Sequence, residues 1–386
     1  MAQHLYLSPG FFGFTRLAHY DYFAHVERAL GARFAAAAVE VEMHVCDVLP
    51  TASVRRRAAK LTALIDNTAG DAGALHLLGH STGGLDARLV ASPGAALEGA
   101  SWLPRIRSVT MMNTPHYGTP LATFFATLRG QQALYALSAF TVVSLSLGSR
   151  PLGLVSALLR LFGAGDRALG IEVPILDRSL ESVVGLVDEA RGADVRAYLR
   201  AIESDQGAVI QLSPEAMDLM LAGFADRDGV RYHSTASMAP APSLRNWVTT
   251  VGHPLKASSL ALFTALHHVT ANIDRRYPCA PEAATAGTAQ AAASDALEQQ
   301  LANTFGTRPS LDANDGIVPL RSQLWGELVW AGLGDHLDVL GHYRDATPDA
   351  DASLRHHDWL TSGSAFDDLH FEALMDAIAK GILSAS

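Results

Sequence analysis

The feature that most constrains this chain is a short apolar run that passes through a glycine-rich turn straight into helical sequence. Leu75-His76-Leu77-Leu78 reads as a buried strand, Gly79 to Gly84 as a sharp turn, and Leu85 towards Val90 as a helix. Strands alternating with helices in this way imply a parallel sheet with right-handed crossovers. The rest of the N-terminal third keeps the rhythm. Leu5 to Ser8 is a strand that ends in the turn Pro9-Gly10-Phe11-Phe12-Gly13, His19 to Phe34 is helical, and Val39 to Val45 alternates as a strand closed by Pro50. Behind a cap at Thr51 or Ser53, residues Val54, Ala58, Leu61 and Ile65 recur on one helical face. Ile106 to Met112 is a further apolar strand.

The rhythm breaks near Thr119. From there to about Leu311 the sequence offers mostly apolar helical stretches and loops. Ala133 to Gly148 carries no charge, and Leu152 to Phe162 has only Arg160. A membrane span needs about 20 predominantly apolar residues; the first stretch is shorter and Ser-rich, and Arg150-Pro151 separates it from the second, so no transmembrane span is expected. Ala280 to Ala302 is rich in Ala with Thr, Gln and Ser, the composition of a flexible linker or a loosely held helix. The rhythm resumes after Asp315, with a strand at Leu328 to Leu333 and a closing amphipathic helix at Phe371 to Leu383. The expected organisation is therefore one α/β domain built from 1–118 and 312–386, carrying a large, mostly helical insert at 119–311.

Composition narrows the partners. With 386 residues, 49% apolar and 18% charged, the chain is a globular protein. A formal charge of −10 argues against nucleic acid, which demands clustered Lys and Arg. The one basic run, Arg55-Arg56-Arg57 with Lys60, falls on a predicted helix and reads as a solvated face. Cys46 and Cys279 have neither disulfide-framework nor metal-ligand spacing, so two buried free thiols are expected. Met1 to Leu7 runs straight into strand-like sequence without a basic and then apolar leader, which predicts a cytoplasmic protein.

Gly79-His80-Ser81-Thr82-Gly83 matches G-x-S-x-G. A serine hydroxyl is a poor nucleophile unless it is exposed and held beside a base. A very tight strand-to-helix turn lifts it above the sheet edge, and side chains at the glycine positions would clash with the neighbouring strand and helix. An acid and a histidine are then expected in the order Ser, Asp, His. Asn314-Asp315-Gly316-Ile317-Val318-Pro319 offers Asp315. Asp335-His336-Leu337-Asp338 follows the Leu328 strand and offers His336; His342 is second, with His356, His357 and His370 as further competitors. His116, in the loop after the Ile106 strand, reads as structural.

Together with Asn113-Thr114-Pro115-His116-Tyr117-Gly118-Thr119-Pro120, these motifs resemble the bacterial triacylglycerol lipases and esterases of the α/β-hydrolase superfamily, in family order from Ser8 to about Asp338. The resemblance covers the catalytic half and little of the insert. It implies an α/β-hydrolase fold, a mostly parallel central sheet with helices on both faces and a helical cap. It also implies a Ser81-Asp315-His336 triad cleaving carboxylic esters through an acyl-enzyme, as a lipase or carboxylesterase. An acyltransferase with the same triad is the alternative. The family's usual His-Gly after the first strand is Pro9-Gly10-Phe11 here. The oxyanion hole needs only backbone N–H groups, so Phe11 and Thr82 are the expected donors, with Phe12 the alternative to Phe11. The chemistry requires no cofactor. Some members hold a structural calcium near the histidine loop; Asp338 matches one ligand, and Asp295 is the only candidate for another. Leu145, Leu154 and Leu158 are the expected apolar wall of a cap over Ser81.

Overall fold

The computed structural model describes residues 2–13, 16–17, 20–95, 100–147, 197–198, 200–202, 204–248, 250–281, 289–343 and 358–385. Its centre is a sheet of six strands: β1 (Gln3–Ser8), β4 (Val41–Val45), β5 (Leu75–His80), β6 (Ile106–Met112), β7 (Arg231–Met238) and β8 (Glu327–Leu333). Two-residue strands β2 (Arg16–Leu17) and β3 (Tyr20–Asp21) form a small separate hairpin. The sheet order is β4-β1-β5-β6-β7-β8, and every neighbouring pair is parallel. The chain steps from β1 outward to β4, returns to the other side of β1 at β5, and then adds strands in one direction. This reversal opens a crevice at the carboxyl ends of β1 and β5, where open α/β sheets bind their ligands.

Alternation along the strands builds two apolar layers. Leu5 and Leu7 of β1 join Val26 and Leu30 of helix α1 (Ala24–Ala36) and Leu374, Ile378 and Ile382 of the C-terminal helix Asp368–Ser384. Tyr6 points the other way, into a layer with Leu61 and Ile65 of α2 (Val54–Thr68) and Leu75 and Leu77 of β5. Each fully buried Leu or Ile stabilises the fold by roughly 1.5–3 kcal/mol. Ser53, one of the two expected caps, closes the start of α2 by accepting the Arg56 N–H. Cys46 and Cys279 are both buried and free.

Two expectations need correction. The basic run on α2 is not wholly a solvated face. Arg55, Arg56 and Lys60 are exposed, but Arg57 is completely buried. It lies between Val54 and Leu61 on the helix's inward stripe. A buried guanidinium is tolerable only with its donors satisfied and its charge paired. Its Nη2 reaches Asp86 Oδ2 at 2.8 Å and also donates to the Pro9 carbonyl, and its Nη1 donates to Leu49 O at 3.1 Å.

The second correction concerns the insert. It does not run unbroken from Thr119 to Leu311, because β7 lies within that range and occupies the sheet between β6 and β8. Its sequence, Arg231-Tyr-His-Ser-Thr-Ala-Ser-Met, has no apolar run, yet residues 232–237 are buried. Two excursions therefore leave the sheet, one before β7 and one after it. The first contains α4 (Pro120–Phe125) and α5 (Leu128–Leu147). The second contains α6 (Pro254–Thr270) and α7 (Ala289–Phe305), the latter packed against β8. The Ala-rich stretch is thus helical from Ala289 onward. Leu152 to Phe162 falls outside the described residues. Among the described residues, no helix is long and apolar enough to cross a membrane.

Candidate active site

Ser81 is the residue between β5 and α3 (Thr82–Ala91), and its φ of 54° and ψ of −127° are strained for a residue with a Cβ. The surroundings enforce that geometry. A Cβ on Gly79 would lie 2.1 Å from the Gly83 carbonyl, and one on Gly83 would lie 2.0 Å from the Ser8 carbonyl. The Ser81 N–H donates to Met112 O at 2.8 Å, anchoring the turn to the end of β6. Helix α3 starts at Thr82, so the positive end of its dipole faces the serine.

His336 arrives on the loop after β8 and Asp315 on the turn after α7. His336 Nδ1 lies 2.7 Å from Asp315 Oδ2, and the His336 N–H donates to the Asp315 carbonyl at 3.0 Å. The carboxylate is fully buried and held from all sides. Oδ1 accepts the N–H groups of Ile317 and Val318, while Oδ2 also accepts from Asn113 Nδ2 at 3.1 Å and Gln323 Nε2 at 3.3 Å. His342 packs edge-on against His25 and Trp359, and His370 is exposed and bonded to Asp367. His356 and His357 lie outside the described residues.

Ser81 and His336 open together into a cavity of about 160 Å³. Its walls are apolar: Phe11 and Phe12 from the first loop, Leu121 and Phe125 from α4, Leu137 from α5, Leu262 and Leu266 from α6, and Ile317 and Trp359. The expected wall residue Leu145 has a side chain outside the described set, as do Leu154 and Leu158 entirely.

The amides beside Ser81 separate the candidate oxyanion donors. In the loop after β1, Gly10 N–H donates to the Tyr22 hydroxyl, Phe12 N–H to Pro50 O, and Gly13 N–H to Gly10 O. Phe11 N–H has no acceptor among the described residues, and neither has Thr82 N–H at the first turn of α3. Phe12, the alternative, is thus already engaged. Arg57 fixes this loop from beneath, and Ser8 Oγ donates to the same Asp86 carboxylate at 2.8 Å.

One linkage was not anticipated. The Tyr22 hydroxyl lies 2.7 Å from His80 Nδ1, and His80 Nε2 lies 3.0 Å from the His336 carbonyl. A carbonyl only accepts, so Nε2 carries the proton and Nδ1 takes the Tyr22 proton. Burial holds the His80 imidazole well below its usual range and pushes the Tyr22 phenol up, so both stay neutral. Gly10, Tyr22, His80 and His336 thereby join the first loop to the histidine loop. The only sequence signal was His80 beside the serine. Similarly, Asn113 was seen in a motif without a role, and Gln323 carried no signal at all. His116 is fully buried beside Arg88 Nη1 at 3.0 Å; desolvation, reinforced by that guanidinium, keeps its pKa well down. It takes no place in the cavity.

Asp338, two residues after His336, is also buried. Its Oδ2 accepts the Asp335 N–H at 2.8 Å and the Ser364 hydroxyl at 2.7 Å. Asp335 Oδ2 is buried with no hydrogen-bond partner among the described residues. Desolvation pushes both carboxyls up, Asp338 to about 7; the Asp358 charge adds to this at both, and the Asp338 charge adds to it at Asp335. Asp295 is exposed on α7, away from this pair's buried setting.

No family model and no curated protein matches the chain. Among solved structures it is similar to EstA from Clostridium botulinum, at 17% identity over 96% of this chain and 87% of that one, with a TM-score of 0.48. Lipase 1 from Pelosinus fermentans is similar at 16% identity over 98% of each chain, with a TM-score of 0.47. The Staphylococcus hyicus lipase is similar at 13% identity over 99% and 96%, with a TM-score of 0.46. From its own sheet order, its strand–serine–helix turn and the loops gathered at the strand ends, the chain has the α/β-hydrolase fold.

Proposed function

We propose that the protein hydrolyses carboxylic esters, as a lipase or carboxylesterase, with Ser81 as nucleophile, His336 as base and Asp315 as the acid that orients it. The observation that carries this reading is the strained Ser81 turn opening into an apolar cavity that also holds His336, whose other ring nitrogen is 2.7 Å from a buried carboxylate. Ser81 Oγ attacks the ester carbonyl carbon while His336 Nε2 takes its proton. Asp315 accepts from Nδ1–H and stabilises the imidazolium. The tetrahedral oxygen gains its negative charge beside the free N–H groups of Phe11 and Thr82, each donor being worth roughly 3 kcal/mol in such sites. Collapse expels the alcohol, which takes the proton from Nε2. Water, deprotonated by the same nitrogen, then attacks the acyl-enzyme and frees Ser81 and the acid. The apolar walls accept the acyl chain and exclude water from the oxyanion.

A fluorophosphonate probe is expected to label the protein at Ser81 alone. Ser81→Ala should stay folded yet lose labelling and turnover of p-nitrophenyl esters. Labelling that survives the substitution, or turnover in Ser81→Ala near the wild-type rate, would overturn the assignment. Transfer of the acyl group to added alcohols in preference to water would replace hydrolase by acyltransferase.

The paired acids below His336 fit a hard cation such as calcium, because the donors are oxygens and one buried carboxylate oxygen lacks a partner. Asp338 and Asp335 would hold it. Its positive charge would relieve their repulsion and fix the loop; it takes no part in the ester chemistry. Calcium should raise the Tm of the wild type and leave that of Asp338→Asn unmoved. An equal rise in both would place the ion elsewhere.

A further inference from the structure

At the lateral edge of the sheet, where β4 is the outermost strand, three side chains converge. In the parallel pair of β1 and β4, His4 stands opposite Glu42 and Tyr6 opposite His44. Residues two apart on a strand share a face, so His4, Glu42 and His44 emerge together. His4 Nδ1 is 3.2 Å from His44 Nε2 and 3.7 Å from Glu42 Oε2, and His44 Nε2 is 3.9 Å from Glu42 Oε2. One point lies about 2.1 Å from all three atoms, the length of a bond from zinc to imidazole nitrogen or carboxylate oxygen. No other group of three His, Cys, Asp or Glu side chains converges so closely among the described residues.

We infer that this edge is a binding site for a divalent transition ion of the zinc type, held by His4, Glu42 and His44 with its fourth position open to water. Two imidazoles select such an ion over calcium or magnesium, which take oxygen ligands. The site is partly preformed. The Tyr6 ring stacks on His44 at 4.8 Å and 18°, and its hydroxyl is fixed to Thr68 at 3.0 Å. His4 is buried, whereas Glu42 is exposed, so an ion can enter from the Glu42 side. Without metal, one imidazole donates its N–H to the other across their 3.2 Å contact; on binding, that ring carries its proton on its other nitrogen, so both facing lone pairs turn to the ion. An ion here ties β4, the outermost strand, to β1. Exposed sheet edges are where strands fray and pair wrongly. The site stands two to four residues, about 7–13 Å, along β1 from the strand end that faces Ser81 and lies on the outer strand pair, so its role is structural and independent of the ester chemistry.

The test uses the full chain, stripped with a chelator, saturated with calcium and titrated with zinc against a chromophoric competitor. The wild type should bind one equivalent and gain Tm. Glu42→Gln, an exposed substitution that opens no cavity, and His44→Gln should each weaken binding more than about tenfold and abolish the Tm gain. Circular dichroism checks that both stay folded. Absence of stoichiometric zinc in the wild type would overturn the proposal. So would unchanged binding in both variants, which would assign the ion to other histidines, or an equal Tm gain from magnesium.

Discussion

Tyr22 shows how much of this site depends on groups outside the proposed triad. Its oxygen accepts the Gly10 N–H, its proton goes to His80, and His80 in turn holds the His336 carbonyl. The packing is equally tight: a Cβ on Gly10 would lie 2.8 Å from Ser81 Cβ and 2.9 Å from the Tyr22 hydroxyl. Tyr22→Phe strands a buried acceptor on His80 and a buried donor on Gly10, at about 1–3 kcal/mol each. On the proposed mechanism we expect kcat to fall about tenfold or more, with KM for short esters little changed, because the loop carrying Phe11 would lose its register on the developing oxyanion. Steady-state kinetics on p-nitrophenyl acetate decide this. A lowered Tm with unaltered kcat would make the tyrosine merely structural.

At the scale of elements, α4, α5 and α6 each supply apolar residues to the wall facing Ser81. Leu137 of α5 lies on the cavity and is only partly buried. Leu137→Asn should therefore raise KM for long acyl esters, with acetate turnover and Tm nearly unchanged. A fall in Tm without any change in chain-length preference would mean that α5 only builds its own core. Elements with strong periodicity or apolar runs were legible from sequence: β1, β4, β5, β6, β8, α2 and the last helix stand where the pattern placed them, within a few residues. β7 was not, because a central strand buried among neighbours can be made of Ser, Thr, His and Ala when small side chains are what the layers accommodate. Arg57 was misread for the opposite reason. Charge argued for solvent, while its position on the inward stripe of α2, which was visible, argued for burial. The Ser81, Asp315 and His336 positions were legible from local motifs. Their supports at Tyr22, Asn113 and Gln323 come from distant segments and leave no local pattern.

For the whole molecule, buried histidines set the response to acid. Burial lowers His76 to about 4 and holds His80 and His116 well below the ordinary imidazole range. An unfolded chain protonates them near 6.5. Between about 6.5 and about 4 the unfolded state therefore binds more protons, and stability is lost as pH falls through that window. Asp335 and Asp338 work in the opposite sense, since their raised carboxyls keep protons that the unfolded chain releases above about pH 4. A single substitution separates the two. His76→Gln can still bond to Ser108, which lies 2.8 Å from His76 Nδ1. The stability gap between wild type and His76→Gln should narrow by about 3 kcal/mol from pH 7 to pH 4. A gap constant across that range in thermal or denaturant unfolding would show that this histidine does not report acid sensitivity.

The position of β7 also bears on how this scaffold could be re-equipped. Each excursion from the sheet starts and finishes on a hydrogen-bonded strand, so neither relies on the other for its endpoints. Closing a longer loop costs only about 0.6 kcal/mol for each doubling of its length. Segments of different size could therefore be grafted between β6 and β7, or between β7 and α7, while Ser81 and His336 keep their separate anchors. The two excursions could thus be re-equipped one at a time, provided that the contact between α4 of the first and α6 of the second is rebuilt.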